Sequence, residues 1–180
     1  MQTIALIHIR RADAEDAALL AHAGRTSFYH AFADTSDAAD MADYLEKAFN
    51  EAQVAAELAD ADNYFFIMET VQGEVAGYAK LIADKRHESL PEGGNWWKLQ
   101  RFYLMPDFIG SGIAAILMDE LKEFITAKGA SGMWLATWTE NKRAIRFYEK
   151  CGFTICGNDQ FVMGKSITCD YVMRWGWGVS

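Results

Sequence analysis

No apolar run in this chain approaches the roughly 20 residues needed to span a bilayer, so no membrane partner is expected. The start, Met1-Gln2-Thr3, lacks the basic flank and long apolar stretch of a secretion signal, and a cytoplasmic location is expected. Cysteine is scarce: Cys151, Cys156 and Cys169 make an odd count. Cys151 and Cys156 stand five apart with no histidine nearby, so the cysteines read as buried free thiols in a reducing compartment rather than metal ligands. His8, His22, His30 and His87 are scattered and read as surface or boundary residues, so no metal is expected. Basic residues are the minority, 17 Lys and Arg against 25 Asp and Glu, for a net charge of -8. Without clustered cations to meet phosphates, no nucleic-acid partner is expected. The acidic balance favours a cationic ligand. Much of it lies in Asp13-Ala-Glu15-Asp16 and between Asp34 and Asp43, which read equally well as solvated helix faces.

Two phosphate-binding motifs are also missing. No Lys-Ser or Lys-Thr follows a glycine loop, which excludes the G-x-x-x-x-G-K-[ST] nucleotide site. Gly110 and Gly112 begin a G-x-G, but no third glycine follows as G-x-G-x-x-G requires. What remains is an apolar strand through Phe102, Tyr103 and Leu104, a Pro106 break, the two glycines, and an amphipathic helix. Ile113, Ile116, Leu117, Leu121, Phe124 and Ile125 recur at helical spacing. A helix start exposes unpaired N–H groups and partial positive charge, and glycine lets a ligand approach the backbone closely. The arrangement reads as a phosphate seat or as a tight turn that binds nothing.

A second segment narrows that choice. Residues 133–138 read as a buried strand, and Asn141 then caps a short helix closed by Gly152, with Lys150 in its last turn. Asn141 and Tyr148, seven residues apart, share one face of that helix. The succession of strand, Gly110-Ser111-Gly112-Ile113-Ala114, helix, strand, Asn141 and Phe147-Tyr148-Glu-Lys-Cys-Gly152-Phe153 resembles the GNAT superfamily of acetyl-CoA-dependent N-acyltransferases. The resemblance covers roughly residues 74–157. It extends more weakly to Ile7-His-Ile9-Arg10-Arg-Ala12-Asp13. The tail, Phe161 to Gly164 and Asp170 to Met173, is similar to the bacterial spermidine/spermine acetyltransferase branch.

The resemblance implies a mixed α/β, GNAT-like fold: a central, mostly antiparallel sheet with one splayed parallel strand pair, flanked by helices. Residues 1–180 would form a single N-acetyltransferase domain. Acetyl-CoA would be the co-substrate, its pantetheine arm pairing with the backbone of Phe102, Tyr103 and Leu104. Its pyrophosphate would meet the loop of Gly110, Ser111, Gly112, Ile113, Ala114 and Ala115, and Asn141 would contact it beyond the slot. Tyr148 would stand near the thioester sulfur. Read from its helix alone, Tyr148 is more often a core residue with its hydroxyl tucked against backbone. In the resemblance it is the general acid, since a phenol titrating near ~10 carries a proton to give to the leaving thiolate. The family pattern has Gln or Arg three residues before Gly112, where this chain has Ile109. Binding through backbone donors then weakens without being lost. The usual places of a catalytic Glu hold Gln100 and Ala136, neither of them a base. Glu140, Asp107 and Glu74 are available carboxylates that sequence does not bring within reach, and no base is assigned.

Along the chain, strands are expected near 4–10, 63–70 and 74–83, with a turn at Gln72-Gly73 and a long loop over 84–95. Helices are expected near 13–24 and 38–59. Residues 25–37 would join them over the slot, with Phe28, Tyr29 and Phe32 walling the acceptor pocket or capping the core. Trp175 and Trp177 alternate on the final strand and so share one face, which if exposed marks a subunit contact. The resemblance adds the expectation of a homodimer. The predicted function is acetyl transfer to a small-molecule primary amine by direct attack, a polyamine favoured. Alternatives are a protein N-terminus or lysine, or a small amino compound. A reading of another class is a non-catalytic acyl-CoA sensor, which the missing base favours.

Overall fold

The computed structural model of the protein describes residues 6–176. Seven strands form one sheet: β1 (Ile7–Arg11), β2 (Asn63–Thr70), β3 (Val75–Ile82), β4 (Trp96–Leu104), β5 (Gly132–Trp138), β6 (Thr154–Met163) and β7 (Ser166–Gly176). Their order is β1-β2-β3-β4-β5-β7-β6, and every neighbouring pair is antiparallel except β4 with β5. Five α-helices cover it: α1 (Ala17–Phe32), α2 (Ala38–Ala48), α3 (Glu51–Ala59), α4 (Ile113–Ala127) and α5 (Lys142–Lys150). This is the mixed α/β architecture that the sequence implies.

Each sheet face has its own core. On one, α4 buries Ile113, Leu117, Met118, Leu121 and Ile125 against Phe66, Leu81, Leu99, Leu135 and Met173, and α5 adds Ile145. Ile113, Leu117, Leu121 and Ile125 are periodic positions of the predicted amphipathic helix, and Phe124 packs at its margin. Ile116, also expected on that face, is exposed, and Met118 is buried in addition. On the other face, Leu20 and Ala23 of α1 and Val54 of α3 pack on Phe65, Ile67 and Tyr78. A third cluster, with Phe28, Met41, Leu45, Phe49 and Met163, ties α1 and α2 to the β6–β7 hairpin. Asp40 of α2 accepts a hydrogen bond from the Lys165 N–H at 3.1 Å across that hairpin's turn. Gly164 makes the approach feasible, because a Cβ there would lie 2.1 Å from the Asp40 carboxyl carbon.

Several boundaries differ from the sequence reading. Residues 25–32 are not a connection but the second half of α1, which begins only after a 3-10 turn at Ala14–Asp16. That turn is held by a capping box between Asp13 and Asp16, with both Asp16 carboxylate oxygens receiving Arg10 at 2.8 Å. The single helical stretch expected over 38–59 is two helices. Phe49 leaves helical geometry, and the Asn50 side chain accepts from the Gln53 N–H, starting α3 anew. Cys169 is exposed and Cys151 and Cys156 are half-buried, so the thiols are less sheltered than expected. Trp175 is half-buried beneath the Lys122 ammonium, 4.8 Å from its ring centroid, while Trp177 and residues 4 and 5 lie outside the described residues.

Candidate active site

The parallel pair is short. β4 and β5 match only at Trp96 with Gly132, Trp97 with Met133 and Lys98 with Trp134. Past these positions the two strands run on to Leu104 and Trp138 without pairing to each other. Their outer edges stay occupied, β4 by β3 and β5 by β7. A register shift opposite Lys80 and Leu81 leaves Gln100 as an extra residue in β4. The centre of the sheet therefore opens into a wedge whose two walls present unpaired backbone groups. Buried N–H and C=O groups nearly always find a partner, so an extended, amide-bearing chain suits this wedge.

The wedge opens into a cavity of about 730 Å³. Phe102, Tyr103 and Leu104 contribute one wall, and they are half-buried in a central strand because they face this space. Gly110, Gly112, Ala114 and Ala115 line the end where α4 begins. Gly110 (φ 84°) and Gly112 (φ 87°) are left-handed, a backbone that non-glycine residues rarely adopt. Gly112 caps α4 without a side-chain hydrogen bond, so the first-turn N–H groups have no side-chain partner. Ser111 and Ile113 are not on the walls. The Ser111 N–H and Oγ donate to the Phe108 carbonyl at 3.2 and 2.6 Å, and Ile113 is buried in the core. Ile109 lines the cavity with an apolar side chain.

Asn141 and Tyr148 lie on the same cavity from α5. The Asn141 side chain accepts from the Ala144 N–H at 3.2 Å, so its oxygen serves the helix cap. The Tyr148 ring sits between Phe102, Phe147 and Phe153, with centroids 6.3, 5.4 and 5.8 Å away. Its hydroxyl has no protein partner among the described residues. Burial pushes its phenol well above the ordinary range, so it stays protonated at neutral pH.

The opposite end is aromatic. Phe28 and Phe32 of α1, Tyr44 of α2, Phe49 and Phe161 enclose it, Phe28 stacking on Tyr44 at 4.6 Å. Phe28 thus walls the cavity and also closes the core, whereas Tyr29 is exposed. Beneath, Arg101 donates twice to Glu57, at 2.7 and 3.1 Å, and Lys80 donates to it at 3.0 Å. Burial pushes the Glu57 carboxyl up, but the two cations outweigh it and hold it below its ordinary value. Glu140, Asp107 and Glu74 are exposed and off the cavity. Among the described residues its one carboxylate is Asp170 of β7, alongside the cations Lys98, Arg101 and Arg143.

Residues 25–153 match the family model described as acetyltransferase (GNAT) family. The chain belongs to the GNAT acetyltransferases. It is 31% identical over 151 residues to an uncharacterised N-acetyltransferase of Lactobacillus delbrueckii subsp. lactis, covering 83% of this chain and 86% of that one. Among solved structures, the PaiA N-acetyltransferase of Thermoplasma acidophilum in complex with coenzyme A superposes with a TM-score of 0.77 at 20% identity. It covers 96% of this chain and 99% of that one. A spermidine N-acetyltransferase of Vibrio cholerae, in complex with CoA and spermine, gives 0.65 at 16% identity over 94% and 95% of the two chains. This GNAT protein is an acetyl-CoA-dependent N-acyltransferase, and no helix among its described residues is long and apolar enough to cross a membrane.

Sequence reasoning missed Asp170 and the Arg101–Glu57–Lys80 cluster. A signal for the first was present. In β7, Ser166, Thr168 and Asp170 line the cavity while Ile167 and Cys169 are exposed, so this strand is polar inward and apolar outward. The cluster had none, because its members are 23 and 44 residues apart.

Proposed function

We propose that this protein, as a single domain, acetylates a primary amine bearing one ammonium group and an apolar or aromatic body. One observation carries the reading: the cavity is walled by aromatic rings at one end, and among the described residues its whole lining holds one carboxylate, Asp170, against three cations. Coulomb repulsion in a partly desolvated site disfavours a polycation there, whereas a lone ammonium meets Asp170 and its body meets the rings. Acetyl-CoA supplies the thioester. Backbone groups of Phe102, Tyr103 and Leu104 hold its arm, and the N–H groups at the start of α4, from Gly112 onward, receive the pyrophosphate. Asn141 contacts it beyond the wedge. Tyr148, protonated and free of protein partners, gives its proton to the departing sulfur.

A polyamine acceptor is the second reading, favoured by the net charge of -8. The likeness to the spermidine enzyme is one of fold. A homodimer and a cytoplasmic location complete the proposal. The test is release of free CoA thiol across a panel of arylalkylamines, alkylamines, spermidine and a peptide N-terminus. Arylalkylamines should react faster than spermidine. Faster reaction of spermidine than of every monoamine overturns the choice of acceptor, and binding of acetyl-CoA without thiol release from any amine overturns transfer itself.

A further inference from the structure

Asp170 is 9% exposed, yet it lies on the cavity wall and its Oδ1 has no hydrogen-bond partner among the described residues. A buried carboxylate oxygen left without a partner is costly, and such a group calls for an explanation, a ligand that completes it being one. The surrounding charges do not complete it. Asp159 stands opposite on β6, where it repels. Lys98 of β4 attracts, but its ammonium lies 4.7 Å over the Trp134 ring and makes no ion pair among the described residues. His87, from the loop before β4, is 3.9 Å from Asp159, and its Nδ1 accepts from the Ser89 N–H. Arg101 on the same cavity is committed to Glu57.

We infer that Asp170 is the catalytic base of this enzyme: its carboxylate receives the acceptor's ammonium and takes one proton from it before attack. The inference rests on the acetyl-transfer reading above. The proton moves from nitrogen to Asp170, and the freed lone pair forms the C–N bond to the thioester carbonyl carbon. The C–S bond then breaks, its electron pair leaving on sulfur, which Tyr148 protonates. The nitrogen loses its second proton to the Tyr148 oxygen, and Asp170 returns its own to water. The products are the N-acetyl amine, CoA thiol and one proton.

The environment suits that task. Burial first, then Asp159, push the Asp170 carboxyl up to about 6, against the pull of Lys98 and the Thr168 hydroxyl. Relative to an ordinary carboxylate this brings base and ammonium about a hundredfold closer in proton affinity. Burial also lowers the ammonium's own pKa, which narrows the gap from the other side. The position explains how transfer proceeds with Gln100 and Ala136 on the central strands.

The test is Asp170→Asn, which keeps shape and removes basicity. In wild type, kcat/KM for an alkylamine should rise with pH through about 6 and then stay level toward the amine's own pKa of about 10. The variant should lose about a hundredfold at pH 7 and rise log-linearly toward that pKa, because only free amine then reacts. With an arylamine, already neutral at pH 7, the two proteins should differ by less than about threefold. Carbon-13 titration of the Asp170 carboxyl, without substrate, should show a pKa raised above the ordinary aspartate range. Melting midpoints at pH 7 should match or favour the variant, since an unpaired buried charge is removed. An unchanged pH profile in a folded variant, or equal losses with both amine classes, overturns the assignment to Asp170. Absence of thiol release from wild type with every amine overturns the transfer reading instead.

Discussion

Removing one oxygen from Tyr148 isolates its chemical role from its packing. In Tyr148→Phe the ring keeps its edge-on contacts with Phe102, Phe147 and Phe153, at 6.3, 5.4 and 5.8 Å. The deleted hydroxyl makes no protein hydrogen bond among the described residues, so no buried donor or acceptor there is orphaned. Stability should therefore change by less than about 0.5 kcal/mol. The chemistry should change more. A general acid contributes about a hundred- to ten-thousandfold, and water reaching the sulfur can recover part of that. We expect kcat to fall about tenfold to a thousandfold, or about 1.4 to 4 kcal/mol of barrier. Acetyl-CoA affinity should stay within about twofold, because the proton is given only in the transition state. Burial raises the phenol, so its protonated form persists through neutral and mildly basic pH and adds no basic limb there. Thiol release at saturating acetyl-CoA gives kcat, titration calorimetry the affinity and thermal melting the fold. A folded variant turning over at the wild-type rate refutes the acid role and leaves Tyr148 a wall of the cavity.

At Gly112, φ is 87° and nothing lies within 4 Å of where a Cβ would stand, so the penalty of Gly112→Val is conformational, about 1–2 kcal/mol or more for a β-branched residue. Calorimetry should show weaker acetyl-CoA binding in a protein that still melts cooperatively, and unchanged affinity removes the phosphate assignment. Glu57→Gln leaves Arg101 and Lys80, 11% and 4% exposed, without their shared counter-charge, and should cost about 3–5 kcal/mol in denaturant unfolding. An unchanged midpoint contradicts that. Because the folded Glu57 carboxyl lies below its ordinary 4.5, its contribution is present above that value and lost as pH falls through the folded value. Stability measured down that range in wild type should fall more steeply than in the Gln variant. Apparent affinity for spermidine, if it binds, should drop from roughly 0.05 to 0.5 M salt more than for a monoamine, as the screening length shrinks below about 10 Å. Equal salt slopes mean that only one ammonium is engaged.

Local chemistry determined much of this protein from the sequence alone. Gly110 and Gly112 sit where a left-handed turn must start α4, and Asn141 and Gly152 bracket α5, because caps and positive φ depend on a residue and its near neighbours. The apolar period of α4 placed Ile113, Leu117, Leu121 and Ile125 on its buried face for the same reason, though it also counted Ile116, which is exposed, and passed over Met118. The wedge was not readable from propensities, because β4 and β5 stop pairing through register and twist across the whole sheet. The resemblance supplied it instead. Residues 25–32 read as a connection although Phe28 and Phe32 stand four apart, a helical spacing, and packing against β4 and α2 makes them helix. Asp170 is an ordinary strand aspartate until β7 pairs between β5 and β6 and its carboxylate is buried on the cavity wall. Arg101, Glu57 and Lys80 meet only when α3 lands on β3 and β4. Caps, turns and periods are written within a few residues, whereas burial and charge pairing depend on what the rest of the chain brings near, and that only the tertiary structure decided.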